Sequence, residues 1–387
     1  MSARVDSQLL AEIKKYGTMD IEKCFNCGNC TAICPLSTTG ETFPRRLIRY
    51  AQLGLKDSLL SSKELWLCYY CGECTKTCPK QANPGEFMAS ARRYAIANYD
   101  PLGLAKLLYT SPVLSTIFMI FLAIVIGLIV YTSHGPMTID TLQFFEFIPA
   151  AAIHTFGVVA IIIVAITGLM GVVNMIRQVR RESSALTTPN LREALWNTIA
   201  IEVLAQRRFQ QDCETDPVKQ AWYKQKWFVH ASTLWGFLGL LLATALDYGL
   251  ELLGAKTTGT WVPLWYPVRL LGTIAGLFLV YGTSMALVRR IHKTDDATAF
   301  STISDWAFLI LLWLTGVSGF VLEIAIYLPQ PAAWAYWTLL FHISVAGELL
   351  LLMPFTKFAH AIYRTIALFF HALRPVPIAE VAKAGAD

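Results

Sequence analysis

Hydrophobic and polar positions divide the chain into two regimes. Beyond residue 100 polar residues thin out, leaving six apolar runs near 112–132, 149–176, 229–248, 266–288, 303–328 and 335–362. A helix needs about 20 apolar residues to cross a bilayer core, so each run predicts one membrane-spanning helix. Before residue 100 the apolar positions are sparser. Leu47, Ile48 and Leu55 recur at helical spacing behind Pro44, which suits a first helical position. Ser61-Ser-Lys-Glu64, just ahead of Leu65 and Trp66, reads as a capping box. The expected fold is all-α, with a small helical domain over 1–100 and a six-span bundle over 101–387.

Composition agrees with that division. The 387 residues are 55% hydrophobic and only 15% charged, where soluble chains carry about 25%. The net charge of +5 is modest and no basic block points to nucleic acid. No G-x-G-x-x-G pattern is present, so no nucleotide or flavin site is expected on this chain. The first residues lack the apolar core of a secretory signal, so the first domain is expected to stay in the cytoplasm. Segment 177–228 holds nine Lys and Arg residues, whereas 133–148 and 329–334 hold none and 249–265 only Lys256. By the positive-inside rule both termini then lie in the cytoplasm of a multi-pass inner-membrane protein.

Eight of the nine cysteines fall within residues 1–100, in two sets with one spacing. Cys24-x2-Cys27-x2-Cys30-x3-Cys34-Pro35 is followed by Cys68-x2-Cys71-x2-Cys74-x3-Cys78-Pro79. This C-x2-C-x2-C-x3-C-P run holds [4Fe–4S] clusters in bacterial two-cluster ferredoxins, where the fourth cysteine ligates the other cluster. The expected ligand sets are Cys24, Cys27, Cys30 and Cys78 for one cubane, and Cys68, Cys71, Cys74 and Cys34 for the second. Structural zinc also uses four thiolates, but needs neither a third cysteine per knuckle nor the proline. The first domain is therefore expected to be a helical two-cluster ferredoxin domain.

Histidines carry the chemistry of the bundle. His342 and His360 lie 18 residues apart on the last run; at 100° per residue that is five whole turns, about 27 Å along an unbroken helix, shortened if Pro354 bends it. Two histidines on one face at opposite membrane depths suit two stacked b-type haems. Matching depth pairs His154 with His342 for an outer haem and His230 with His360 for an inner one. His134 and His371 are the alternatives, and His292 reads as a solvated loop residue. Carboxylates are costly in lipid unless they face the interior, which makes Glu323 and Glu348 candidates for proton exchange with a quinone.

Taken together, the double cysteine motif resembles the C subunit of heterodisulfide reductases. The bundle looks like the cytochrome b subunits of that group and the gamma subunit of respiratory nitrate reductase. Their fusion most resembles the C-subunit family of the quinone-interacting membrane-bound oxidoreductases of sulfur-metabolising prokaryotes. That resemblance implies an electron-transfer subunit of an oxidoreductase complex, with two [4Fe–4S] clusters, two b haems and menaquinone as exchangeable substrate. It also implies two heterodisulfide-reductase-A-like flavin and iron–sulfur subunits as partners, and adenylylsulfate reductase downstream. A related heterodisulfide-reductase or sulfite-reductase-linked complex, and a non-redox carrier with a regulatory iron–sulfur domain, are the alternatives.

Overall fold

The computed structural model describes residues 4–17, 20–39, 43–138, 140–182, 191–213, 221–294, 296–328 and 333–373. Among these every regular element is helical. The chain separates into two compact units, one of 1–99, 171–213 and 359–387, the other of 100–170 and 214–358.

The second unit holds most of the membrane helices. Six helices are long and apolar enough to cross a bilayer: Pro112–Tyr131, Ala150–Val179, Lys226–Leu252, Pro267–His292, Ile303–Ala325 and Ala333–Leu351. The second continues to Glu182, and its residues from Gly171 belong to the first unit. In lipid every backbone polar group must be bonded within the protein, which a helix achieves alone. The third and fourth spans pack at backbone contact. A Cβ on Gly282 would come 2.7 Å from the Thr233 nitrogen, and one on Gly236 would collide with the Leu279 backbone. Gly276 instead faces Phe320, at 3.1 Å from where its Cβ would stand, so the Gly272-x3-Gly276 pair serves packing. The fifth span opens on a capping box in which Thr302 and Asp305 satisfy each other's backbone N–H groups. Ile161, Ile162, Ile166 and Leu169 of the second span are exposed, as lipid-facing positions are.

The last apolar run departs from its expected form. Its helix stops at Leu351, a 3-10 turn spans Met353–Phe355, and a new helix runs Ala359–Ala372. Pro354 lacks an N–H and its ring clashes with the preceding turn, so the chain breaks where a bend was expected. The five-turn register between His342 and His360 therefore does not exist.

In the first unit, short helices surround an aromatic centre. Trp66, fully buried, packs on Tyr99 and Tyr363 at ring-centroid distances of 6.2 and 5.3 Å. Thus helix Ala359–Ala372 is part of this unit's core. Asn174 donates to the Tyr99 carbonyl at 2.9 Å. The capping box expected at Ser61–Glu64 is absent. Ser61 Oγ bonds the Ser58 carbonyl at 3.2 Å instead, and Glu64 is taken by Arg46 at 3.1 Å. A second buried pair joins Glu86 (2% exposed) to Arg93 (7%) at 3.0 Å, with Tyr70 donating to Glu86 at 2.6 Å. Removing one member of a buried pair strands the other, at about 3–5 kcal/mol. Glu86→Ala is accordingly expected to lower the stability of the first unit by about that amount, read as earlier loss of iron–sulfur absorbance in a denaturant titration of the full chain.

Candidate iron–sulfur and haem sites

Each cysteine set is built by two left-handed residues and one helical turn. Asn26 (φ 61°) and Gly28 (φ 90°) curl the first loop; Tyr70 (φ 57°) and Gly72 (φ 93°) curl the second. At Gly28 and Gly72 a side chain would be strained, which is why glycine follows the second cysteine of each set. The third cysteines then ride on one-turn helices, Cys30 on Asn29–Ala32 and Cys74 on Glu73–Lys76. Asn29 Nδ2 bonds the Thr77 carbonyl, tying the motifs together.

Each fourth cysteine lies within electrostatic reach of the opposite set. Burial, and then the neighbouring sulfurs of Cys24 and Cys27, push the Cys30 thiol up to about 11, and Cys78 adds to the same effect. Burial pushes Cys34 up to about 12, and the sulfurs of Cys68, Cys71 and Cys30 add to it. Cys68 and Cys74 are raised too, by burial first. Such thiols are protonated at neutral pH, so metal must displace protons to bind them. N–H groups point at the sulfurs: Tyr70 at Cys68 (3.3 Å), Ala82 at Cys78 (3.4 Å) and Leu36 at Cys34. Among the described residues no three His, Cys, Asp or Glu side chains converge on a point that a single metal ion would fill.

In the bundle the four histidines differ. His342 bonds Ser318 Oγ through Nδ1 at 2.8 Å. The Ser318 hydroxyl also lies 2.6 Å from the Leu314 carbonyl; when it donates there, it accepts from His342 Nδ1. The lone pair of the ring is then on Nε2, the ligand form of imidazole. Gly319 leaves room beside this ring, 3.4 Å from where its Cβ would stand. His154 turns Nε2 to Glu251 at 3.5 Å and packs edge-on against Tyr248. His230 is exposed on the third span. His360 opens the helix beyond the break, in the first unit. His134, an alternative ligand, stacks on Tyr131 at 4.0 Å and bonds its carbonyl. Glu323 is held by Arg269 at 2.7 Å. Glu348 is 3% exposed, and its Oε1 has no hydrogen-bond partner among the described residues.

The comparisons with known proteins follow the two regions. The family model of citrate utilization protein B matches residues 103–378. The chain belongs to that family. A 4Fe-4S dicluster domain model matches residues 20–82, so the N-terminal region is a domain for [4Fe–4S] clusters. This part is 38% identical over 63 residues to the C subunit of the H(2):CoB-CoM heterodisulfide,ferredoxin reductase of Methanothermobacter thermautotrophicus, covering 16% of this chain and 34% of the relative. A protein of Archaeoglobus profundus described as like the C subunit of heterodisulfide reductase is 39% identical over 101 residues, 24% of this chain and 54% of the relative. The citrate utilization protein B of Escherichia coli is 27% identical over 145 residues, 37% of each chain. The chain thus spans between about a third and a half of the length of these relatives. No solved structure matches.

Sequence reasoning missed the groups around the second cysteine loop, notably Arg92 and Arg364, which donate to the Cys68 carbonyl at 2.7 and 3.0 Å. No motif marks them; only helical periodicity puts Arg364 one turn after His360. The interlocked loops predict that Cys34→Ser damages the cluster of the Cys68, Cys71 and Cys74 set and spares the other. Iron analysis should show loss of about half the iron, and electron paramagnetic resonance should show one cluster signal retained.

Proposed function

We propose that the chain is a membrane electron-transfer subunit linking a quinone, menaquinone in our reading, to flavin and iron–sulfur partner subunits through two b haems and two [4Fe–4S] clusters. The observation that carries this reading is His342: a bundle imidazole held by Ser318 through Nδ1 leaves Nε2 for a haem iron. Bound haem and clusters supply one-electron carriers, and the protein's task is to hold and tune them.

His342 fits that role as it stands. His154, whose Nε2 faces Glu251, would be the second residue to hold that haem. From the sequence pairing, His230 and His360 would be the ligands of the second haem. Cys24, Cys27, Cys30 and Cys78 hold one cluster, and Cys68, Cys71, Cys74 and Cys34 the other. Of the two quinone carboxylates, Glu323 is committed to Arg269, so Glu348 is the group that exchanges protons with the quinol. The first cysteine set faces the partner. Cys27 is exposed there, beside Phe25 at 59% and Ile33 at 45% exposure.

The Cys-rich domain's likeness to heterodisulfide reductase C subunits favours a heterodisulfide-reductase-A-like partner and, in our reading, adenylylsulfate reductase beyond it, with the clusters in the cytoplasm. A second reading follows from the family match over 103–378: the same wire serves an enzyme of citrate utilization. Mass spectrometry of co-purifying subunits distinguishes the two.

The haem reading predicts sharp b-type bands in the dithionite-reduced protein. His342→Ala should remove one of two haems. Ser318→Ala should keep both sites but weaken one by about 10–100-fold, because an unheld imidazole loses its ligand orientation. A wild-type protein without b-type bands rejects the reading.

A further inference from the structure

The two cysteine loops have one geometry but different electrostatic surroundings. In the first, the Cys24 carbonyl accepts a bond from a neutral amide, Gln52 Nε2, at 2.9 Å. In the second, the matching Cys68 carbonyl accepts bonds from two guanidinium groups, Arg92 at 2.7 Å and Arg364 at 3.0 Å. Arg364 also donates to the Trp66 and Leu67 carbonyls at 2.8 and 3.3 Å, and its guanidinium carbon lies 4.2 Å from the Tyr69 ring centroid. Tyr69 is fixed in turn by stacking on Phe209 at 5.5 Å and by donating to Glu202 at 2.8 Å. Glu202 is itself neutralised by Arg208 at 2.8 Å, so the carboxylate does not cancel the arginine charge. A cation near the first loop, Arg45 beside Gly28, is exposed and screened by water. Arg92 and Arg364 are half-buried and screened less.

One-electron reduction adds one negative charge to a cluster, and a fixed cation close by stabilises the reduced form. We propose that Arg364, acting with Arg92, raises the reduction potential of the cluster held by Cys68, Cys71, Cys74 and Cys34 above that of its neighbour. This cluster is then the electron-holding station next to the helix that carries His360, one turn before Arg364. The inference rests on the cluster ligands proposed above. It makes Arg364 a positioning residue that acts through charge, contributed by a helix far from the motif in sequence.

The test is a potentiometric titration of the full-length, cluster-loaded protein followed by electron paramagnetic resonance, with the two signals assigned through Cys24→Ser and Cys68→Ser variants. Arg364→Gln should shift the reduction equilibrium of the second-set cluster at least tenfold, a fall of about 59 mV for one electron. The first-set cluster should move less than threefold. Arg364→Lys, which keeps the charge and loses the planar fork, should stay near wild type. Intact clusters with unchanged potentials in Arg364→Gln, or equal shifts in both clusters, overturn the proposal. If Arg364→Gln loses iron, the lysine variant decides. A wild-type potential there supports the charge role, and a shifted one makes Arg364 a structural clasp only. Two cluster signals missing from the wild-type protein would instead overturn the cluster assignment, and the proposal with it.

Discussion

The first unit depends on a closure problem. In the proposed ligand sets each C-x2-C-x2-C loop takes its fourth thiolate from the other. The borrowing requires two loops of one hand, and Gly28 and Gly72 supply it with φ near 90°. Once Asn29 ties the loops together, the helices between and around them have little freedom. The Arg46–Glu64 and Arg93–Glu86 pairs are consequences of that arrangement. In both, an arginine meets a buried carboxylate.

The break at Pro354 has a positive use. By ending the last span at Leu351, it lets the helix Ala359–Ala372 join the core of the first unit, where Tyr363 packs on Trp66 and Arg364 bonds the Cys68 loop. One segment thus bears both a proposed haem ligand and the charge beside a cluster loop. That is a compact way to couple two carriers, since neither side chain can move without the helix.

Much of the architecture was legible in the sequence, for definite reasons. Long apolar runs can only be satisfied as helices in lipid, so the six candidate spans are found near their hydropathy maxima. Cysteine spacing is set by cluster geometry and is readable without any fold. What escaped depended on contacts between distant segments. The capping box at Ser61–Glu64 satisfied a local rule but lost to Arg46. The ion pair of Glu323 was not legible because Arg269 is 54 residues away. The His342–His360 register failed because a proline that bends some helices ends this one. The C-terminal helix carries no motif, and its role emerges only from packing against Trp66.

In the proposed function, electrons follow one continuous route from quinone through His342 to the cysteine loops. The most direct measurement is anaerobic rapid mixing of the full-length protein with a menaquinol analogue, followed by freeze-quench electron paramagnetic resonance of the clusters. In the wild type, cluster signals should appear after the b-haem bands rise. In His342→Ala the quinol should no longer reduce the clusters on that timescale, although dithionite still does. Cluster reduction by quinol at the wild-type rate in His342→Ala would contradict the route.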